Sequence, residues 1–198
     1  MRRIVVPLIC IGLAAACSST DTATPPATTA PTDADTLAHF DNGAVSFDYP
    51  AAWTLQDVND MASAFSTPIA YLSPMTLQDP CVTTEVSTGS QITCGFPVEQ
   101  LDEGAVLVSW ASTRFPQAVG SPPSGLETPN TTIAGKLARV QYDEPGTCAP
   151  IGADQTVLAV VDAGNGGTFE MTACVKDPSR AEVDASITQM LQSVSVTP

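Results

Sequence analysis

The amino-acid sequence predicts an α+β fold, a mainly antiparallel β-sheet packed with helices as a sandwich. Three observations carry that expectation. Apolar residues alternate with polar ones in several short runs, as half-buried strands require. A Gly-rich stretch, Asp162-Ala163-Gly164-Asn165-Gly166-Gly167, joins two of those runs as a hairpin. Near the C terminus, Val183, Ile187, Met190, Leu191 and Val194 recur instead at helical spacing.

In chain order, Val45, Phe47 and Tyr49 alternate with Ser46 and Asp48, which predicts a strand ended by Pro50. Residues 53–55 predict a second short strand. Asp57 is placed to cap a short helix carrying Val58, Met61 and Phe65 on one face. Residues 69–72 read as a strand. Residues 74–103 show no period and read as irregular, with Cys81 and Cys94 stapling an excursion. Residues 105–110 are strongly apolar and fit a central strand. Pro116, Pro122, Pro123 and Pro129 make 115–130 a loop. Residues 137–142, 157–161 and 168–175 read as strands. The last puts Phe169, Met171, Ala173 and Val175 on one face and Thr168, Glu170, Thr172 and Cys174 on a more polar one. Asp177 and Pro178 fit the cap and first-turn positions of the final helix, which should pack on the sheet.

The N terminus predicts a location. Arg2 and Arg3 precede an apolar run from Ile4 to Leu13, shorter than the roughly 20 residues that span a bilayer. Such a run fits the h-region of a secretory signal peptide. Ala14-Ala15-Ala16-Cys17 resembles a bacterial lipobox, in which small residues precede an obligatory Cys whose thiol accepts diacylglycerol. Ala14 stands where a larger aliphatic residue is usual, with Leu13 one place further back. Residues 1–16 are therefore expected to be removed and Cys17 to carry the lipid, including acyl chains such as palmitate. Two or three chains hold a protein on a membrane where one holds it marginally. Cys10 is a poor lipid acceptor, because Pro7, Leu8 and Ile9 before it are not small. The rival reading is ordinary secretion cut near Ala16, which gives a secreted, non-lipidated factor with Cys17 as a thiol.

Residues 17–38, rich in Thr, Ala, Pro and Asp, hold too little apolar bulk to offset the entropy of ordering them. They read as a disordered tether, and Pro with Thr also suits an O-glycosylated stalk. Residues 39–198 have the length of a single domain.

The whole chain has 7 cations and 21 acids, a formal charge of −14. Loss of residues 1–16 removes Arg2 and Arg3 and no acid, leaving 5 cations against 21 acids, or −16. That charge keeps a domain soluble, is repelled by anionic head groups and excludes nucleic acid as a partner.

Six cysteines are present. With Cys10 in the signal and Cys17 lipidated, Cys81, Cys94, Cys148 and Cys174 remain for an oxidising compartment. Of the three pairings, Cys81–Cys94 and Cys148–Cys174 are favoured because each lies within one local region. A zinc site is the weaker reading, since no C-x-x-C spacing occurs and His39 is the only His.

The passage VSFDYPAAW, residues 45–53, resembles the strand-Tyr-Pro-x-x-Trp opening of PsbP-like domains. ITQMLQSVSVTP, residues 187–198, resembles their closing helix, in which a Leu and a Ser precede a short final strand. The resemblance covers most of residues 39–198 and extends to small bacterial envelope lipoproteins of the LpqN/LpqT kind. It implies an α/β/α sandwich and a binding or accessory role. It supplies no catalytic motif, and no photosynthetic role, because the plant members use N-terminal segments this chain lacks.

Chemistry finds few candidates. His39 stands at the junction of tether and domain and reads as a surface His rather than a catalytic one. GSPPSG, residues 120–125, has the wrong spacing for a nucleophile elbow. Asp102-Glu103 and Asp143-Glu144 are adjacent acids, which point apart and read as solvated turns rather than a glycosidase pair. Asp57–Asp60 and Asp162–Gly166 offer oxygen atoms to calcium, but neither fits an EF-hand loop, and helix cap and hairpin turn are the simpler readings. Trp53 and Trp110 read as core. No cofactor is expected. The expected function is a non-catalytic domain on the extracytoplasmic face of the cell membrane, held by lipid on Cys17 and binding a protein, glycan or lipid. An envelope hydrolase using acidic residues is the alternative.

Overall fold

The computed structural model describes residues 36–58, 66–87, 89–113, 125–164 and 166–197. Twelve strands are defined within them. These are β1 (Leu37–Asp41), β2 (Val45–Pro50), β3 (Thr54–Asp57), β4 (Ser66–Ser73), β5 (Cys81–Val86) and β6 (Gly89–Cys94). They continue with β7 (Val106–Thr113), β8 (Thr131–Ile133), β9 (Lys136–Asp143), β10 (Gln155–Asp162), β11 (Thr168–Val175) and β12 (Ser195–Val196). A 3-10 helix spans Gly146–Ile151 and one α-helix, α1, spans Ala181–Ser193.

Seven strands form one antiparallel sheet in the order β3-β4-β7-β11-β10-β9-β8. The apolar alternation sets its faces. Cross-strand pairing puts Val108 and Trp110 of β7, Met171 and Ala173 of β11, Val157 and Ala159 of β10 and Val140 of β9 on one face. That face carries the main core, closed by Val183, Ile187 and Met190 of α1 and by Val45 and Phe47 of β2. Phe47 stacks on Trp110 at 4.8 Å between ring centroids, and Phe40 stacks on Phe47 at 4.9 Å. The Trp110 indole N–H meets Met190 Sδ at 3.3 Å. Each such large side chain contributes about 1.5–3 kcal/mol on burial, so this ring stack pins β1, β2 and β12 to the large sheet.

The opposite face is covered at one end by a second cluster that joins Leu107 and Cys174 of the sheet to Val98, Leu101, Cys148 and Ile151. Cys148 bonds to Cys174 there.

The expected helix-packed sandwich is overturned. Strands account for 51% of the described residues and helices for 13%, with one helix of seven or more residues, so the fold is β-rich. The antiparallel sheet is present, but a three-stranded sheet, β1-β2-β12, takes the place of a second helical layer. Asp57, expected to cap a helix, instead ends β3 opposite Ala70; residues 59–65, which include Met61 and Phe65, lie outside the described residues. β1 begins at Leu37, ahead of the expected boundary at 39, because Phe40 buries against Phe47.

Two local readings also change. Residues 81–94 are a hairpin, with Cys81 opposite Cys94 and every residue but Cys81 exposed among those described. α1 starts at Ala181 with no side-chain cap. Asp177 adopts a left-handed φ of 57°, and its carboxylate accepts from the Ser179 hydroxyl in a turn before the helix. Asp154 steadies that turn, accepting from the Asp177 N–H and from Lys176 Nζ, both at 3.0 Å. These contacts hold the Asp154 carboxyl below its usual range, the Asp177 N–H most strongly. The other strand readings hold among the described residues, and most of the loop expected over 115–130 lies outside them. β10 and β11 form the expected hairpin, with Asp162 opposite Thr168. Pro68, which has no N–H for the ladder, coincides with the register shift in β4.

Candidate ligand cleft

β8 and β9 extend the large sheet past the edge of α1, and the uncovered corner is a cleft of about 390 Å³. Alternation along β9 turns Val140 and Tyr142 toward the helix side, where they line the cleft. Thr131, Thr132 and Ile133 of β8 continue the lining. Thr188, Leu191 and Gln192 form the helical wall, because positions i, i+3 and i+4 share one face of a helix. Tyr142 is 54% exposed, since no described element covers it.

The turn between β8 and β9 forms the lip. Ala134 and Gly135 have φ of 53° and 72°, the two positive values a type I′ turn needs. Glycine takes that conformation freely, whereas Ala pays about 1–2 kcal/mol for it. Ala134 itself lines the cleft. Strained backbone of this kind clusters at functional sites.

Among the described residues, the lining carries no Asp, Glu, Lys, Arg, His or Cys. Its polar side chains are the hydroxyls of Thr131, Thr188 and Tyr142 and the amide of Gln192, while Thr132, opposite Leu137, turns its side chain to the other face. The described lining supplies neither the general base of acyl transfer nor the paired carboxylates of glycoside hydrolysis. Its size is at the small end of the about 300–1,000 Å³ range of ligand sites.

The residues singled out from the sequence lie elsewhere. Cys17 is outside the described residues. Cys81 bonds to Cys94 with Cα atoms 4.0 Å apart, and Cys148 to Cys174 with Cα atoms 5.3 Å apart. The first pair staples an exposed hairpin; the second is buried and ties the 3-10 helix to the sheet. His39 Nδ1 lies 2.6 Å from Asp48 Oδ1 on an exposed surface. Ser193, also beside β2, accepts from the Asp48 N–H and donates to the Met190 carbonyl, so its hydroxyl caps backbone. Asp102, Glu103, Asp143 and Glu144 are exposed. Asp162 accepts from the Gly164 N–H within its own turn; Asp60, Asn165 and residues 120–124 fall outside the described residues. No group of three or more His, Cys, Asp or Glu converges among the described residues. Trp110 is buried, and Trp53 packs against the main core.

Glu170 is half-buried on the face opposite α1, where burial pushes its carboxyl up and the Thr172 side chain partly offsets this. Its cross-strand neighbours are Ala111 and Val160, so it has no acidic partner in register.

Sequence reasoning placed Val140 and Tyr142 on a strand and Leu191 on the final helix, assigned nothing to residues 131–134, and named none of them as a site. Tyr142 and Leu191 fitted their apolar patterns and gave no sign that they stay partly uncovered. The available signal was Ile133-Ala134-Gly135-Lys136, a two-residue hairpin turn obscured by Ala where Asn is usual. In comparisons with known proteins, no family model matches the chain, and no curated protein or solved structure matches it significantly.

Proposed function

We propose that the chain is an exported lipoprotein, held on the extracytoplasmic face of the cell membrane by lipid on Cys17, whose domain binds an uncharged ligand without transforming it. The observation that carries the binding role is the cleft between α1 and the β8–β9 hairpin, concave and without charged groups among its described lining residues. Its hydroxyls and amide can orient a ligand, while Val140, Ile133 and Leu191 bury part of it. The lipid anchor rests on Ala14-Ala15-Ala16-Cys17 and the short apolar run before it. The two disulfides suit an oxidising compartment. A formal charge of −14 argues against a nucleic-acid partner.

Amide chemical shifts of the 15N-labelled domain, recorded against a library of neutral fragments, test the binding role. Shifts confined to residues 131–134, 140–142 and 188–192 are expected. Hits clustering around Glu170 on the opposite face, or fragments consumed during the experiment, would overturn the reading.

A further inference from the structure

Given the binding role proposed for this cleft, the geometry points to a neutral saccharide as its ligand. A sugar ring has an apolar C–H face and a rim of hydroxyls that each donate and accept. The cleft offers the complement. Tyr142 presents an aromatic ring that is 54% exposed, the platform against which such a face stacks. Thr131 and Thr188 carry hydroxyls, and Gln192 carries an amide; each of these groups both donates and accepts.

Other chemistries fit less well. A purely apolar ligand would cover these polar groups without partnering them, and each such loss is costly. An anionic ligand would find no cation among the described lining residues, within a chain of formal charge −14. A cationic ligand would find no carboxylate there.

The test titrates the 15N-labelled domain with maltotriose, mannotriose and triacetylchitotriose. Trigalacturonate, 1-hexanol and a capped Ala-Thr-Ala peptide serve as contrasting probes. At least one neutral trisaccharide is expected to give saturable shifts at Tyr142, Thr188 and Gln192, and trigalacturonate none. Tyr142→Ala should weaken that binding about tenfold through lost stacking. Thr188→Val should weaken it about threefold through one lost hydroxyl. Both positions are exposed, so the variants should fold, as their spectra would verify. Shifts with 1-hexanol or the peptide but with no saccharide would overturn the saccharide assignment and leave the binding role standing. Failure of every probe to shift the cleft would overturn both.

Discussion

Removing the buried disulfide should cost far more stability than removing the exposed one. The Cys148→Ala, Cys174→Ala variant opens a loop of sequence separation 26, which on the chain-entropy model costs ~3.5 kcal/mol. The Cys81→Ala, Cys94→Ala variant opens one of separation 13, worth ~2.9 kcal/mol on the same model. Entropy alone would make the two nearly equal, and the structure separates them. Cys148 and Cys174 are 0% and 2% exposed in the second core cluster, so their truncation adds a packing defect, for a total of about 4–5 kcal/mol. The β5–β6 hairpin buries almost nothing and shows Val82, Val86 and Ile92 to solvent. An isolated hairpin is marginal in water. Without its bridge it can melt inside an otherwise native domain, held at the base by Gly95 N–H to the Pro80 carbonyl and Gln78 N–H to the Pro97 carbonyl. The native state then regains chain entropy, and the net loss falls well below ~2.9 kcal/mol. Urea unfolding followed by the fluorescence of buried Trp110 measures both. Hydrogen exchange should show residues 81–94 alone losing protection in the hairpin variant. Equal midpoint shifts, or a larger one for the hairpin variant, would refute the reasoning.

Three further outcomes are expected. Trp110→Ala removes the ring stacked on Phe47 and the indole contact to Met190, and should cost about 3–5 kcal/mol in urea unfolding; a loss below about 1 kcal/mol would contradict the packing described. Ala134→Asn places a residue that tolerates left-handed φ at the cleft lip, and thermal unfolding should show a gain of about 1 kcal/mol; a loss would mean the turn is not as described. Burial raises the Glu170 carboxyl in the folded chain, so the unfolded chain ionises first as pH climbs through the ordinary Glu range, and the native state loses stability there. Glu170→Gln should therefore match the parent near about pH 4 and exceed its melting temperature near about pH 7; parallel pH profiles would contradict the burial of that carboxyl.

β2 and β11 were legible because their apolar residues alternate, and β7 and β10 because they carry continuous apolar runs. Phe169, Met171, Ala173 and Val175 face the main core, and Cys174 sits on the other face with Cys148, as the period requires. The layers were less legible. Leu37–Asp41 follows a Thr- and Pro-rich run, so its few apolar residues looked like the end of a tether; only the contact of Phe40 with Phe47 makes it a strand. The hairpin at 81–94 was hidden for the opposite reason: with almost nothing buried, it needs no apolar period, and its bridge does the work a core would do. The cleft was illegible because it exists through omission. Tyr142 and Leu191 obey the patterns of buried residues, and only the span of α1 against the width of the sheet leaves them partly uncovered.

The intact mass of the mature protein, extracted from the membrane fraction without reductant, tests most directly whether this is a binding domain tethered to a membrane. A chain beginning at Cys17, heavier by its acyl groups and lighter by the four hydrogens of two disulfides, is the predicted result. A soluble, unacylated chain cut elsewhere would contradict the anchor and make the protein a diffusible secreted factor, while four free thiols would contradict the oxidising compartment.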